Sequence, residues 1–184
     1  MLIKEFELIT TQDKSNKDRG FRSRAYEYER ILDKIDELKP KSVHNTACWL
    51  WDVHIRFSNE LSKHCDNVFN SDDESWVEWE ARPKNFFKQD ITKKLERKFD
   101  CVLCISTWEH LPTELLLSTL ENLLDQTEKD LLITFDYPSV DIQRLENILN
   151  CKCIKEWEIL NWSNSVVKQD IYSNLNCVLL HIQK

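Results

Sequence analysis

Two predominantly apolar runs constrain this chain more than any other feature. "FDCVLCIS", Phe99 to Ser106, and "DLLITFDYP", Asp130 to Pro138, lack the alternation of a strand with one wet face. Runs of this kind make strands buried on both faces, and such strands belong to parallel sheets covered by helices on either side. Between them lies "PTELLLSTLENLLDQ", an amphipathic helix with Thr113 as its cap and Leu116, Leu117, Leu120, Leu123 and Leu124 as its stripe.

The same alternation runs through most of the chain. "RSRAYEYERILDKIDELKP" sets Tyr28, Ile31, Leu32, Ile35 and Leu38 on one helical face and stops at Pro40. "SVHNTA" reads as a strand, "VHIRFSNELSKH" as a helix and "DNVFNSD" as a short strand ending in acid; "VDIQRLENILN" reads as a further helix. Near the end, "CKCIKEWEILNWS" and "NLNCVLLHIQ" read as two strands with no helix between them. The expected fold is therefore α/β: a three-layer αβα sandwich with a mostly parallel, Rossmann-like sheet and a C-terminal antiparallel hairpin. Residues 1–39 are expected to form an irregular polar arm and an amphipathic helix, and residues 40–184 the Rossmann-like domain, all in one compact unit.

Composition excludes several function classes. The net charge is −7, and "SDDESWVEWE", Ser71 to Glu80, is an acidic block. A nucleic-acid surface needs clustered Lys and Arg, so no nucleic-acid partner is expected. No apolar run approaches the ~20 residues of a membrane span, and the N-terminus has no signal-peptide core, so a cytoplasmic protein is expected. Seven cysteines, an odd number in a chain of this type, read as buried free thiols. Cys101 and Cys104 lie three apart on a strand and face opposite ways, and Cys151 and Cys153 are too close for a standard zinc pair. No metal site is expected, a Glu109, His110 and Glu114 cluster being disfavoured for want of a second histidine.

"KFDCVLCISTWEHLP", Lys98 to Pro112, resembles the fourth strand and following loop of the class I S-adenosylmethionine-dependent methyltransferases, a hydrophobic strand and then S-x-x-E-H-[LIV]-P. "NVFNSD" resembles that superfamily's second strand, "FFKQDIT" its adenine segment and "LLITFDYP" its fifth strand, so the resemblance spans about residues 41 to 150. It implies S-adenosyl-L-methionine as cofactor. Asp72 would hold the ribose, Asp90 and Ile91 would border the adenine, with Phe87 beside them, and Ser106, ahead of Glu109 and His110, would also contact the cofactor.

"KSVHNTACWLWD" departs from the pattern. Where the superfamily has an acid and three glycines, V-L-D-x-G-C-G-x-G, this chain has Asn45, Ala47, Trp49 and Trp51, and Cys48 alone matches. Gly20 is the one glycine in the chain. Three readings of the tryptophans stay open. A ring fills the cofactor space, an indole walls the pocket and faces the sulfonium as a cation–π partner, or both rings pack under the N-terminal helix. Asn45 brings no charge to an ammonium, so Glu27 or Arg24 on the first helix is the candidate to help.

Each remaining candidate has a structural alternative. Asp72 suits ribose hydroxyls but also a solvated loop. Asp90 suits an adenine amine but equally a helix cap for "ITKKLERK". His110, with Glu109 beside it, suits a general base for methyl transfer, or else the pair orients the loop. The function expected is a divergent methyltransferase acting on a small-molecule or carbohydrate-like acceptor. Its alternative is a non-catalytic methyltransferase-like module with a filled pocket, whose interface would use Trp76, Trp79, Trp157 and Trp162.

Overall fold

In the computed structural model, residues 2–8, 22–49, 52–75, 81–137, 140 and 176–184 are described. The strands are β1 (Leu2–Leu8), β2 (Val43–Thr46), β3 (Val68–Asp72), β4 (Phe86–Lys88), β5 (Phe99–Ile105), β6 (Thr127–Tyr137) and β7 (Asn176–Gln183). The helices are α1 (Arg22–Leu38), α2 (Asp52–His64) and α3 (Leu116–Gln126). One sheet takes all the strands in the order β1-β7-β6-β5-β2-β3-β4. Strands β6, β5, β2, β3 and β4 are parallel to their neighbours, and β7 lies antiparallel between β6 and β1.

Strand alternation sorts the apolar residues into two cores. Cys101, Leu103, Leu132 and Leu179 face Ile31 and Ile35 of α1 and Phe57 and Leu61 of α2. Val102, Cys104, Leu131, Ile133 and Leu180 face Leu116, Leu120 and Leu123 of α3. β5 and β6 are buried on both faces, as their predominantly apolar runs predict, and the three layers follow. Cys48, Cys65, Cys101 and Cys104 are buried free thiols. No group of metal-ligating residues forms among the described residues, and none of their helices is long and apolar enough to cross a membrane.

Several expectations change. The irregular arm holds a strand: β1 adds to the sheet edge antiparallel to β7, with Leu2 opposite Gln183. "ITKKLERK" forms no helix. Thr113 opens a 3₁₀ turn instead of capping, and α3 starts at Leu116 with no side-chain cap. Leu117 is 46% exposed and leaves the stripe. The antiparallel pair at the end is β6 and β7, while "VDIQRLENILN" and "CKCIKEWEILNWS" lie outside the described residues, as do Trp51, Trp76, Trp79, Trp157 and Trp162.

One polar residue sits in the centre of β2. His44 is fully buried between Gln126 (Nδ1 to Oε1, 3.0 Å) and Ser71 (Nε2 to Oγ, 2.8 Å), and its ring stacks with Phe87 at 5.2 Å. Burial pushes its pKa down to about 3, so it is neutral and bridges with one N–H and one lone pair. An unfolded histidine takes up a proton near pH 6.5 and the folded one does not, so stability is lost as pH falls from about 6.5 toward 3. Between pH 7 and pH 5 this group alone should lower the unfolding free energy by about 2 kcal/mol. Urea titrations at the two pH values check this, and His44→Gln should flatten the dependence across that range.

Candidate functional site

The sheet reverses direction between β2 and β5, since β3 and β4 extend it one way and β6 and β7 the other. A crevice opens beyond the carboxyl ends of the strands at such a point, and ligands of open α/β sheets bind there. Residues that follow β2, β3 and β5 therefore meet, although they lie far apart in sequence.

The turn after β2 is left-handed twice, at Ala47 (φ 47°) and Trp49 (φ 48°). Ser106, directly after β5, has φ 42°, and Glu74, two residues after β3, has φ 60°. A Cβ costs about 1–2 kcal/mol in this region. Hydrogen bonds from β3 hold the turn in place. The Cys48 N–H donates to the Ser71 carbonyl (2.9 Å) and the Trp49 N–H to Asp72 Oδ2 (3.0 Å). Asp72 Oδ1 accepts from the Glu74 N–H (2.8 Å). Burial pushes the Asp72 carboxyl above the ordinary carboxylate range, and the two N–H donors oppose that rise.

The cleft is bounded by Tyr28 of α1, Phe57 of α2, Asn45, Ala47, Cys48, Trp49, Ile105 and Ser106. Its free volume is about 10 Å³, room for a single water. Tyr28 and Phe57 stack at 4.0 Å and 13°, closing one side. On the other side, the Trp49 indole lies 5.5 Å from the His110 imidazole, tilted by 32°. Asn45 turns its amide away toward α2 and β3, donating to Ser58 Oγ (3.2 Å) and Asn70 Oδ1 (3.1 Å). Behind Ser106, Glu27 of α1 is fully buried; its Oε1 accepts from the Ser106 hydroxyl and from Thr134 Oγ1 (2.8 Å).

No protein-family model and no curated protein sequence matches the chain. Solved structures do match. Magnesium protoporphyrin IX methyltransferase from Synechocystis PCC 6803, with bound SAH, superposes with a TM-score of 0.57 at 16% identity, covering 95% of this chain and 89% of that one. N-methyltransferase NodS from Bradyrhizobium japonicum WM9, in complex with S-adenosyl-L-homocysteine, gives 0.56 at 13%, covering 92% and 93%. A SAM-dependent methyltransferase from Archaeoglobus fulgidus gives 0.56 at 15%, covering 91% and 96%. This chain has the class I methyltransferase fold.

Within the methyltransferase fold, Asn45, Ala47, Cys48, Trp49 and Ser106 come together on the cleft, and Asp72 adjoins them through Trp49. Asp90 and Ile91 lie past β4, on the far side of Asp72. Asp90 Oδ1 accepts from the Thr92 N–H (2.9 Å) and hydroxyl (2.6 Å), and these bonds, the hydroxyl first, hold its carboxyl below the usual range. It therefore caps a turn, where the alternative had placed a helix. Ile91 is buried in the α3-side core. Glu109 and His110 share a 3₁₀ turn, with the histidine exposed and the Glu109 carboxylate oxygens shielded from solvent. Sequence reasoning missed Thr134, and its signal was a hydroxyl within the apolar stretch "LLITF". It also took Tyr28 and Phe57 for core alone.

The left-handed turn gives a direct test. Most Ala→Gly changes cost stability, but Ala47→Gly should raise the unfolding free energy by about 0.5–1 kcal/mol, because glycine carries no left-handed penalty. Exposed Ala81 provides the control, since Ala81→Gly relieves no such strain. Parallel denaturant titrations of the two variants should move in different directions.

Proposed function

We propose that this chain is an S-adenosyl-L-methionine-dependent methyltransferase acting on a small-molecule or carbohydrate-like acceptor. The observation that carries this reading is the turn after β2. It keeps two left-handed residues without a glycine to ease them, and strain of this sort persists where function requires the backbone path. That path lies at the switch point of a fold whose solved examples include proteins with SAH bound.

In this reading Asp72 accepts the ribose hydroxyls on lone pairs left over from its two backbone partners. Asp90 and Ile91 border the adenine, and Ala47 and Cys48 face the cofactor along the turn. Trp49 walls the cleft and offers its indole face to the sulfonium. When bound, the cofactor would supply a methyl group to the acceptor's lone pair in an in-line displacement, its sulfur leaving with the bonding electrons, and the acceptor would lose a proton. His110, exposed and set against Trp49, would take that proton, with Glu109 on the same turn. A small-molecule acceptor accords with the acceptor named for the porphyrin methyltransferase.

The second reading, a non-catalytic module, rests on the 10 Å³ cleft, which must widen before a nucleoside enters. One variant separates the two. Calorimetry should show the cofactor binding the native chain, and Trp49→Gly should weaken it by about 0.5–2 kcal/mol through the lost indole face. Binding that appears only in Trp49→Gly would mark a filled site, and no heat in either protein at millimolar cofactor would end the enzyme reading.

A further inference from the structure

We propose that Trp49 is the positioning residue for His110: its indole orients the imidazole and stabilises the imidazolium that forms when the acceptor gives up its proton. The inference rests on the methyltransferase reading above and assigns a task to the side chain of Trp49. The residue holds a left-handed φ of 48°, and the end of β3 fixes it there, the Trp49 N–H donating to Asp72 Oδ2 (3.0 Å). A glycine would follow the same path without the steric cost. What the cost supports is therefore the side chain. That side chain borders the cleft, and it meets His110.

His110 gains from such a neighbour. It is exposed, on the 3₁₀ turn Trp108–His110. The backbone of that turn is anchored: Trp108 is buried in the α3-side core against Phe135, and the His110 N–H donates to the Thr107 carbonyl (3.0 Å). An exposed imidazole keeps rotamer freedom that a packed ring removes, and a general base has to be aimed. The Trp49 ring centroid lies 5.5 Å from that of His110, tilted by 32°. This is inside the ~6 Å over which an aromatic face attracts a cation, and indole is the best such face among side chains. When the acceptor's proton arrives, the bonding pair stays on the acceptor atom and a new N–H forms on the imidazole. The positive charge then appears beside the indole. The charged groups of the neighbouring elements are Glu109 on the same turn, Glu114 on the next, and Asp72 and Glu74 at the end of β3. Burial pushes the Cys48 thiol up, so it stays neutral. All of these remain when only the indole is changed.

Proton NMR of the chain without added cofactor tests this. In Trp49→Leu the midpoint of the His110 imidazole titration should fall by about half a pH unit, about a threefold loss of proton affinity, because the face that favours the charged form is gone. Trp49→Phe should recover part of that loss. His64, at the opposite end of α2 from the turn, is the internal control and should titrate alike in all three proteins. An unchanged His110 midpoint in Trp49→Leu would overturn the assignment. So would an equal fall in Trp49→Phe and Trp49→Leu, which would reduce the tryptophan to packing. If Trp49→Leu does not fold, the native chain still decides. Its His110 ring protons should lie upfield of those of His64 through the indole ring current, and coincident shifts would overturn the pairing. A native chain that binds no cofactor by calorimetry would fail the methyltransferase reading alone.

Discussion

The dryness of β5 on both faces governs the rest of the molecule. Its side chains alternate between the α1–α2 core and the α3 core, and its backbone is paired on both edges, to β2 and β6. Such a strand has no place for chemistry along its length. Polar and titratable groups are driven to its ends, and the carboxyl end coincides with the reversal of strand order. Ser106, Glu109 and His110 follow β5 there, the turn of Ala47 to Trp49 follows β2, and Asp72 closes β3. The site is a consequence of what the core excludes.

A glycine-free turn at this position has to be held by something else. Glycine would allow the left-handed backbone at no steric cost, whereas Ala47, Trp49 and Ser106 each give up about 1–2 kcal/mol in a protein whose whole stability is on the order of 5–15 kcal/mol. The β3 end carries the load. Its Ser71 carbonyl and Asp72 carboxylate accept the successive N–H groups of Cys48 and Trp49, so the acid works as a structural clamp as well as a candidate ligand. The tryptophan brings something no glycine can, an aromatic face set against His110.

What the sequence disclosed depended on the range of the interaction. β5, β6 and α3 were legible because each writes its burial into consecutive residues. Glu27 was suggested from its place on α1, but its partners Ser106 and Thr134 lie beyond any local pattern. The two hydrogen bonds that the Asn45 amide donates to Ser58 and Asn70 were equally hidden, since three elements have to meet to form them. β1 was misread as irregular because its mixture of apolar and charged residues carries no clear period without the strand it pairs beside. Asp90 was read as either ligand or cap, and the turn it caps needs the same short acceptor that a helix would, which is why spacing could not separate the possibilities.

The position of β7, between β6 and β1, sets an order of assembly. β1 precedes every other described strand, yet its one neighbour among them follows all the rest. The parallel strands β2 to β6 can pair during synthesis, while β1 must wait unpaired until β7 emerges to join it to the sheet. The edge is therefore the last part of the sheet to close, and a nascent chain stalled before β7 would carry an open strand at both β1 and β6. Such a chain is poised to pair with another copy of itself.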